Sequence, residues 1–355
     1  MKVIVAMSGG VDSSVVAYLL KKEGHDVIGL SFELWDKRDL ASSSLCCSVE
    51  TINLAQSVAR QIGIEHYTVD VRDTFYTHVI ESFCESYVKG TTPNPCILCN
   101  KYIKFDSLLK KASELGADCI ATGHYARVTE QRARNGEQRF LLKKGIDHKK
   151  DQSYVLYVMS QDELSKTIFP VGEFTKDRTR SIAEETGLAT ATRPESQEIC
   201  FVGDDNYTDY IKGHSPDAVK AGQIVDMDGK VLGEHKGIAF YTIGQRKGLG
   251  ISSPVPRYVA DIHRESNTIV VGSRDDATRK KIQVTDLNWI AAEFPVSPER
   301  AGVKIRSTMH EVMATVTLEG ENVLVEFDEP QWAPAPGQSA VFYRDDIVLG
   351  GGIIL

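Results

Sequence analysis

The sequence predicts an α/β amino-terminal domain, with an open, mostly parallel sheet covered by helices on both faces, followed by two β-rich domains. Residues 1 to about 125 alternate short apolar runs with stretches of helical periodicity, a pattern typical of this fold. The pair Gly9-Gly10 separates the first apolar run from the first helical stretch. Beyond Cys200, glycine, aspartate and β-branched residues dominate, which favours strands and turns.

The elements of the first domain follow from the spacing of apolar residues. Val3-Ile4-Val5 is a short apolar run typical of a buried strand, and the apolar positions within residues 15–20 recur at helical intervals. We expect a β-hairpin from residues 127–129 and 140–143, around a basic turn. Further strands are expected at residues 27–32, 65–71 and 119–123, and helices at residues 49–61, 74–88, 103–115 and 176–185, with another running through Met159.

The chain is expected to divide into three domains. The α/β domain covers residues 1–204, and a small central β-rich domain covers residues 205–272, with a hairpin at Asp228-Gly229. A carboxyl-terminal β-barrel-like domain covers residues 280–355, and the charged stretch 273–282 is expected to be a linker. Strands are expected at residues 237–242, 258–263, 268–271, 304–307, 313–318, 323–327 and 340–343.

Size and charge limit the classes of function. With 355 residues, 42% of them hydrophobic, and a net charge of −8, the chain can bury several cores but has no overall positive field to attract nucleic acid. Contact with RNA must therefore use local basic clusters. The sequence shows neither a signal-peptide pattern nor a long apolar run, so we expect a cytoplasmic monomer without membrane contact. Seven cysteines in a reducing compartment are more typical of catalysis or metal binding than of disulfides.

The segment Ser8-Gly9-Gly10-Val11-Asp12-Ser13-Ser14 is the strongest functional signal. Backbone N–H groups at a helix start and the helix dipole attract phosphate, and glycine lets the backbone approach it closely. The segment is neither a Walker A loop nor a GxGxxG fingerprint; a tight turn without a ligand would also need glycine. Its SGGxDS pattern resembles the PP-loop ATP pyrophosphatases, which cleave ATP between the α and β phosphates and adenylate a substrate. That resemblance implies that Asp12 helps to hold Mg²⁺.

A second group of residues carries thiols. Cys96 and Cys99 form a Cys-x-x-Cys motif, and Cys99 is expected just ahead of a helix, where the dipole favours a thiolate. A reactive thiol beside an adenylating loop points to sulfur transfer, because sulfur can displace an adenylated oxygen. The alternative is half of a zinc site, for which only Cys200 is an obvious third ligand. The other cysteines are expected to be core residues, Cys84 and Cys119, or loop residues, Cys46 and Cys47.

Several motifs follow one another along the chain. They are SGGVDSS at residues 8–14, Asn94-Pro95-x-x-x-Cys99-Asn100, Ala121-Thr122-Gly123-His124-Tyr125, Lys150-Asp151-Gln152-Ser153-Tyr154, Ser196-Gln197-Glu198-Ile199-Cys200-Phe201, Tyr241-Thr242-x-Gly244-Gln245-Arg246-Lys247-Gly248-Leu249 and Pro336-Gly337-Gln338-x-Ala340-Val341-Phe342-Tyr343. In this order they resemble the bacterial tRNA-specific 2-thiouridylases over nearly the whole chain. The loop is shared across the PP-loop superfamily, whereas the cysteine motifs and YTxGQRxGL together are specific.

This resemblance implies an ATP site and an RNA site. The enzyme would use ATP and Mg²⁺ to adenylate O2 of the wobble uridine of certain tRNAs, a base that must leave its stack to be reached. The third domain would hold the anticodon stem, mainly through phosphates. The implied ATP-binding residues are Ala6, Met7, Ser8, Gly9, Gly10, Val11, Asp12, Ser13, Phe32 and Gly123. The residues implied to contact the target base or tRNA are Asn94, Pro95, Cys96, His124, Lys150, Asp151, Gln152, Arg306 and Gln338.

The resemblance also implies a sulfur relay between two catalytic cysteines. A sulfur-relay protein or a cysteine desulfurase would load Cys200 with a persulfide, whose sulfur attacks C2 of the base as AMP leaves. Cys99 would resolve the persulfide, leaving a Cys99–Cys200 disulfide to be reduced. Many members have aspartate at the position of Cys96, and an aromatic residue often follows the arginine at 306, where this chain has Ser307. Cys96 opens a second mechanism, in which the three thiols hold a [4Fe–4S] cluster with one iron free to bind sulfide.

Two other functions remain open on the sequence. A PP-loop ligase or amidotransferase acting on a small molecule would explain the loop but would leave the cysteine motifs and the β domains without a role. A zinc-stapled RNA-binding module without enzymatic activity would leave the phosphate loop without a role. Sulfur transfer to tRNA accounts for all of these features and is the function that we expect.

Overall fold

A computed structural model of the chain describes residues 1–34, 49–132, 138–194, 199–202, 207–216, 219–291 and 297–355. Cys46, Cys47 and residues 196–198 of the second cysteine motif lie outside these ranges. Within them, no helix combines the length and the apolar character that a membrane crossing requires.

The elements are numbered in chain order. The strands are β1 (Lys2–Ala6), β2 (Asp26–Glu33), β3 (Glu65–Asp70), β4 (Cys119–Ala121), β5 (Ala126–Arg132), β6 (Gln138–Lys144), β7 (Thr167–Ile168), β8 (Gly222–Val225), β9 (Val231–His235), β10 (Tyr258–His263), β11 (Thr268–Gly272), β12 (Thr278–Trp289), β13 (Glu299–Lys304), β14 (Val312–Glu319), β15 (Asn322–Trp332), β16 (Ser339–Arg344) and β17 (Ile347–Ile354). The α-helices are α1 (Val11–Lys22), α2 (Val49–Ile62), α3 (Arg72–Phe75), α4 (Ser82–Val88), α5 (Pro95–Leu98), α6 (Leu108–Glu114), α7 (Ser153–Leu156), α8 (Gln161–Ser165), α9 (Lys176–Glu185) and α10 (Tyr207–His214).

The first sheet is parallel, with five strands in the order β3-β2-β1-β4-β7. Its central strand, β1, is buried on both faces because successive side chains point in opposite directions. Ile4 packs into one hydrophobic cluster together with the helices of residues 72–114, whereas Val3 and Val5 pack into a second cluster with α1, α2 and α9. The predicted parallel sheet with helices on both faces is confirmed.

Two long helical runs combine α-helical and π-helical segments. The first, residues 72–88, joins α3 and α4 through a π-helix at Tyr76–Glu81 and is called the aromatic helix below. The second, residues 95–114, joins α5 and α6 through a π-helix at Cys99–Ser107 and is called the cysteine helix. The predicted helices in both regions are therefore confirmed, although the second begins much earlier than expected.

The early start of the cysteine helix has a local cause. Asn94 caps it, because its Oδ1 accepts a hydrogen bond of 3.2 Å from the backbone N–H of Cys96, and Pro95 suits the first helical position. The expectation that Cys99 lies ahead of this helix is wrong. Cys99 follows the first helical turn and begins the π-helical segment.

The rest of the chain forms two further sheets. The central sheet has the strand order β10-β11-β8-β9. In the carboxyl-terminal sheet, the order β12-β15-β14-β13-β16-β17 closes into a barrel through an additional pairing of β12 with β17. The predicted β-rich domain and barrel are confirmed. The hairpin β5–β6, which precedes residue 150 in the chain, extends the barrel sheet by pairing with β17.

Several local expectations are wrong. Residues 237–242 contain a 3₁₀-helix, Ile238–Phe240, instead of a strand: the N–H groups of Phe240 and Tyr241 bond to the carbonyls three residues earlier, at 3.1 Å each. The expected linker at 273–282 includes the start of β12, whose alternating Ile282 and Val284 are buried in the barrel.

Two more boundaries differ from the expectation. The helix expected through Met159 spans only α7. The Asn100 amide donates at 3.0 Å to the Val155 carbonyl, which the Met159 N–H would need in a longer α-helix, and that N–H bonds to the Leu156 carbonyl instead. The strand expected at residues 304–307 ends at Lys304, and the following Arg306 instead bonds to the carbonyl of Ala333.

Candidate active site

The glycine loop between β1 and α1 is held open by close packing. Gly9 has φ of +71°, and a Cβ there would lie 2.3 Å from the carbonyl oxygen of Thr51 in α2. Gly10 is the N-cap of α1, and no side chain in the described part of the protein caps this helix start. Ser14 donates its hydroxyl to the Gly10 carbonyl at 2.8 Å, which fixes the first turn. The Ser8 N–H bonds to the Ser13 hydroxyl at 3.3 Å, so the N–H groups at the start of α1 are the ones that would face an anion.

A cavity of about 220 Å³ opens at this loop, at the carboxyl ends of β1, β2 and β4. It also lies against Lys104 of the cysteine helix. A Cβ on Gly123 would lie 2.8 Å from the backbone nitrogen of Ser13, so only glycine lets the end of β4 pack on the start of α1. The residues singled out from the sequence that line the cavity are Ala6, Met7, Ser8, Gly10, Asp12, Ser13, Phe32, Gly123, His124 and Gln152.

Two of the expected ATP-binding residues lie behind this surface. Gly9 packs on Thr51, and Val11 is only 4% exposed within the core around α1. Gly9 and Val11 therefore support the shape of the loop from behind, while Ser8, Gly10 and Asp12 face the cavity.

Asp12 is held by a lysine that comes from a distant part of the chain. The Lys176 ammonium lies 2.7 and 2.8 Å from the two carboxylate oxygens of Asp12, and the Tyr125 hydroxyl donates to the same carboxylate at 2.8 Å. Lys176 is 8% exposed at the start of α9. The loop thus carries a nearly buried ion pair at one wall of the cavity.

The cavity fits Mg²⁺ that arrives with a nucleotide. Mg²⁺ in nucleotide sites takes one or two carboxylates together with phosphate oxygens and water, and Asp12 is the carboxylate beside the glycine loop. Among the described residues, no group of three or more His, Cys, Asp or Glu side chains could hold a metal ion. Asp12 would therefore share the ion with the phosphates, where Mg²⁺ supplies positive charge. Cys96, Cys99 and Cys200 likewise form no common ligand group in this conformation.

His124 is buried beneath the cavity and is neutral. It is 6% exposed, its Nδ1 lies 2.6 Å from the hydroxyl of Thr122, and its Nε2 lies 3.5 Å from the ammonium of Lys104. Burial, and then the charge of Lys104, lower its pKa well below 6.5. A neutral ring can donate from one nitrogen and accept at the other, which matches these two partners.

The thiols of the first motif differ in exposure. Cys96 is exposed in the first turn of the cysteine helix, and Cys99 is half-buried. Tyr102, which follows Cys99 on the cysteine helix, stacks on His78 of the aromatic helix, with ring centroids 4.3 Å apart. The stacking fixes the cysteine helix against the aromatic helix at the level of Cys99.

Cys200 reaches the same aromatic helix from the other end of the domain. It is half-buried, and the adjacent Phe201 packs edge-on against Phe83 and Phe75, with centroid distances of 5.1 and 5.9 Å. Cys99 and Cys200 both pack, partly buried, against the hydrophobic cluster that includes Phe75 and Phe83 of the aromatic helix.

Several residues expected to contact RNA make contacts within the protein. Gln338 donates to the carbonyls of Thr92 and Pro93 at 3.0 and 3.2 Å, which ties the barrel to the segment before the cysteine helix. Asp151, with a side chain 3% exposed, accepts from the backbone N–H of Gly145 and from Ser153. Contact of these residues with RNA stays a prediction.

Of the other expected RNA residues, Pro95 is buried and Cys96 is exposed, while Asn94, Lys150, Gln152 and Arg306 are half-buried. Arg306 bonds to the carbonyl of Ala333, and burial lowers its pKa. The side-chain oxygen of Gln152 accepts from the backbone N–H of Tyr125 at 3.0 Å, and Lys150 is half-buried.

Sequence reasoning missed two lysines of the site. Lys104 lies inside the cysteine helix. Had the predicted helix begun before Cys99, it would have placed Cys99 and Lys104 on the same element. Lys176 joins Asp12 across 164 positions, a separation that no local pattern encodes.

Comparisons with known proteins match the whole length of the chain. Residues 1–204 match a family model described as tRNA methyl transferase HUP domain, residues 208–273 a tRNA methyl transferase PRC-barrel domain, and residues 279–354 an aminomethyltransferase beta-barrel domain. The tRNA-specific 2-thiouridylase MnmA of Clostridioides difficile (strain 630) is 47% identical over 355 residues, covering 99% of this chain and 98% of that protein. The tRNA-specific 2-thiouridylase MnmA 2 of Thermoanaerobacter sp. (strain X514) is 48% identical over 357 residues, covering 99% and 97%. The chain belongs to the family of tRNA-specific 2-thiouridylases.

Proposed function

We propose that this chain is a tRNA-uridine 2-sulfurtransferase, which replaces O2 of the wobble uridine of tRNA with sulfur and consumes ATP in doing so. The observation that carries the proposal is the double role of the cysteine helix. This helix lines the nucleotide cavity through Lys104 and carries Cys99, while Cys200 lies beside the adjoining aromatic helix. The names of the relatives, which share nearly half of their residues with this chain, support the same activity.

The first half-reaction activates the base. O2 of the uridine attacks the α-phosphorus of ATP, the bond from that phosphorus to the bridging oxygen breaks, and pyrophosphate leaves with the electron pair. The glycine loop would bind the phosphates through its backbone N–H groups, and Asp12 would hold Mg²⁺ against them. The placement of Phe32 and Gly123 on the same cavity supports an adenine site there.

The second half-reaction replaces the activated oxygen with sulfur. The terminal sulfur of a Cys200 persulfide attacks C2, the bond from C2 to oxygen breaks, and AMP leaves with the electron pair. The Cys99 thiolate then attacks Sγ of Cys200, which releases the transferred sulfur as the thiocarbonyl and leaves a Cys99–Cys200 disulfide. A reductant, such as a thiol, must restore both cysteines before the next cycle.

The environments of the described cysteines support this assignment. Burial raises the pKa of Cys84 to about 11 and raises that of Cys119 as well, so both remain protonated and unreactive near neutral pH. Cys99 and Cys200 are partly accessible, as a sulfur donor requires. That donor would be a sulfur-relay protein or a cysteine desulfurase.

The RNA would bind across the catalytic domain and the barrel. Gln338 joins the barrel to the loop that leads into Asn94, so an anticodon stem on the barrel and a flipped base at residues 94–96 would belong to one surface. Phosphate contacts from exposed lysines and arginines would supply most of the affinity.

A sulfur-incorporation assay tests the proposal. The purified chain is mixed with ATP, Mg²⁺, an unmodified tRNA with a wobble uridine, cysteine and a cysteine desulfurase, and 2-thiouridine is measured by nucleoside mass spectrometry. We expect 2-thiouridine and AMP with the wild type, none with Cys200→Ser or Cys99→Ser, and wild-type amounts with Cys84→Ala, whose thiol is buried.

Other outcomes identify the alternatives. ATP consumption with a small molecule but never with tRNA would support a PP-loop ligase or amidotransferase instead. Iron and sulfide that co-purify under anaerobic conditions, with activity that depends on Cys96 and on added sulfide, would support the [4Fe–4S] mechanism. A colourless, iron-free and fully active protein would exclude the cluster.

A further inference from the structure

Lys104 is a cation of the nucleotide cavity that neither the glycine loop nor the thiol chemistry explains. It is half-buried on the cysteine helix and lines the cavity together with Ser8 and Asp12. Lys176 binds Asp12, one of the lining residues, but is not itself among the residues that line the cavity.

The Lys104 ammonium lies next to the buried ring of His124. The Thr122 hydroxyl lies 2.6 Å from Nδ1 of His124 and 3.4 Å from the His124 backbone nitrogen, so it accepts from both when Nδ1 carries the proton. Nε2 then offers a lone pair, and it lies 3.5 Å from Nζ of Lys104. Thr122 and His124 thus help to orient the Lys104 ammonium at the cavity.

The π-helical segment brings this ammonium to the face that carries the thiol. In a π-helix the hydrogen bonds join residues i and i+5 and a turn holds slightly more than four residues, so side chains four and five positions apart lie on the same side of the helix. In an α-helix, residues three and four apart are neighbours, and residues five apart diverge. Cys99 and Lys104 are five apart within the π-helix Cys99–Ser107. The unusual helix therefore places both on one face, with the cavity at the Lys104 end.

We infer that Lys104 is a catalytic residue that binds the α-phosphate, first of ATP and then of the adenylated uridine, next to Cys99. The inference rests on the proposed function. The α-phosphorus is the atom that the base attacks, so it must lie on the thiol side of the cavity, whereas the glycine loop and the Asp12–Lys176 pair are suited to the departing pyrophosphate.

One ammonium can serve both half-reactions without transferring a proton. During adenylation, Lys104 would donate hydrogen bonds to the non-bridging oxygens of the α-phosphate. During sulfur transfer, the electron pair of the breaking bond between C2 and oxygen moves onto the phosphate of AMP, and the same ammonium would stabilise this negative charge. Such preorganised charge is effective because it needs no rearrangement when the charge develops.

Lys104→Met tests the inference, with Lys110→Met as the matched control. Lys110 is an exposed lysine in α6 of the same cysteine helix, away from the cavity. Three quantities are measured: the Kd of Mg·ATP by calorimetry, the single-turnover release of pyrophosphate with tRNA but no sulfur donor, and the subsequent release of AMP when the donor is added.

We expect Lys104→Met to slow both release steps at saturating ATP by about 10²–10³-fold, as for loss of one donor to a developing charge, while the Kd changes by roughly ten-fold or less. A merely structural role would weaken ATP binding and stability but leave the saturated rates close to those of the wild type, and this result would overturn the inference. Lys110→Met should match the wild type in all three measurements.

The remaining outcomes are also decisive. If Lys104→Met does not fold, Lys104→Gln removes the charge but keeps a polar side chain, and saturated rates equal to those of the wild type would overturn the inference. If the wild type itself releases no pyrophosphate with tRNA, the proposed function fails. If the wild type is active and Lys104→Met is equally active, only the inference about Lys104 fails.

Discussion

Replacement of Gly9 by alanine tests the packing that holds the glycine loop open. The φ of Gly9 is +71°, and its new Cβ would lie 2.3 Å from the Thr51 carbonyl oxygen and 3.0 Å from the carbonyl carbon. Gly63, at the end of α2, has almost the same φ of +70°, but a Cβ added there would meet nothing within 4 Å. Gly63→Ala therefore carries the backbone strain alone, and Gly9→Ala carries the strain together with the collision.

The expected magnitudes follow from these two contributions. An alanine in the left-handed region costs about 1–2 kcal/mol relative to glycine, which is the expected loss of stability for Gly63→Ala. A collision with backbone, which cannot rotate away, adds the cost of overpacking, roughly 1–3 kcal/mol. Gly9→Ala should therefore lose more stability than Gly63→Ala by about 1–3 kcal/mol.

Urea unfolding of the wild type and the two variants gives both free-energy differences, and calorimetric titration with Mg·ATP gives the affinity of each protein. We expect weaker ATP binding only for Gly9→Ala, because the loop must move away from α2. Equal losses of stability in the two variants, with unchanged ATP affinity, would show that the loop does not rest on Thr51.

Two further predictions concern charge. Lys176→Met leaves the Asp12 carboxylate, 28% exposed and still bound by Tyr125, without its ammonium, so we expect a loss of roughly 1–3 kcal/mol by urea unfolding. Asp12→Asn in the same background should restore most of it, and simple additivity in this double-mutant cycle would contradict the pairing. His124 is neutral in the folded protein but takes up a proton near pH 6.5 when unfolded, so the unfolded state gains protons first and stability should fall between pH 7.5 and 5.5. The contribution of His124 should be about 1.4 kcal/mol, measured as the difference in pH dependence between the wild type and His124→Gln; the same slope in both would refute it. Burial also lowers the pKa values of His66 and His235, but both residues are present in the wild type and in His124→Gln, so their contributions to the pH dependence cancel in the difference.

Local patterns were sufficient for most of the catalytic domain. The strand–glycine–helix order at residues 3–20 and the burial of β1 on both faces follow from residues that are close together in sequence, as does the span of α9. Where a distant part of the chain competes for backbone groups, the local pattern failed: the amide of Asn100 takes the Val155 carbonyl, which a longer α7 would have used.

The sequence by itself determined the phosphate loop, the presence of two separate cysteine motifs and the change from α/β to β-rich structure, because each depends on neighbouring residues and their period. Only the tertiary structure decided that Lys176 holds Asp12, that His124 is buried near Lys104, and that Phe201, next to Cys200, packs on the aromatic helix. These are contacts between segments far apart in the chain, and their geometry depends on how the helices pack on the sheet. Packing also selected the π-helix that aligns Cys99 with Lys104, a distinction that apolar spacing does not encode.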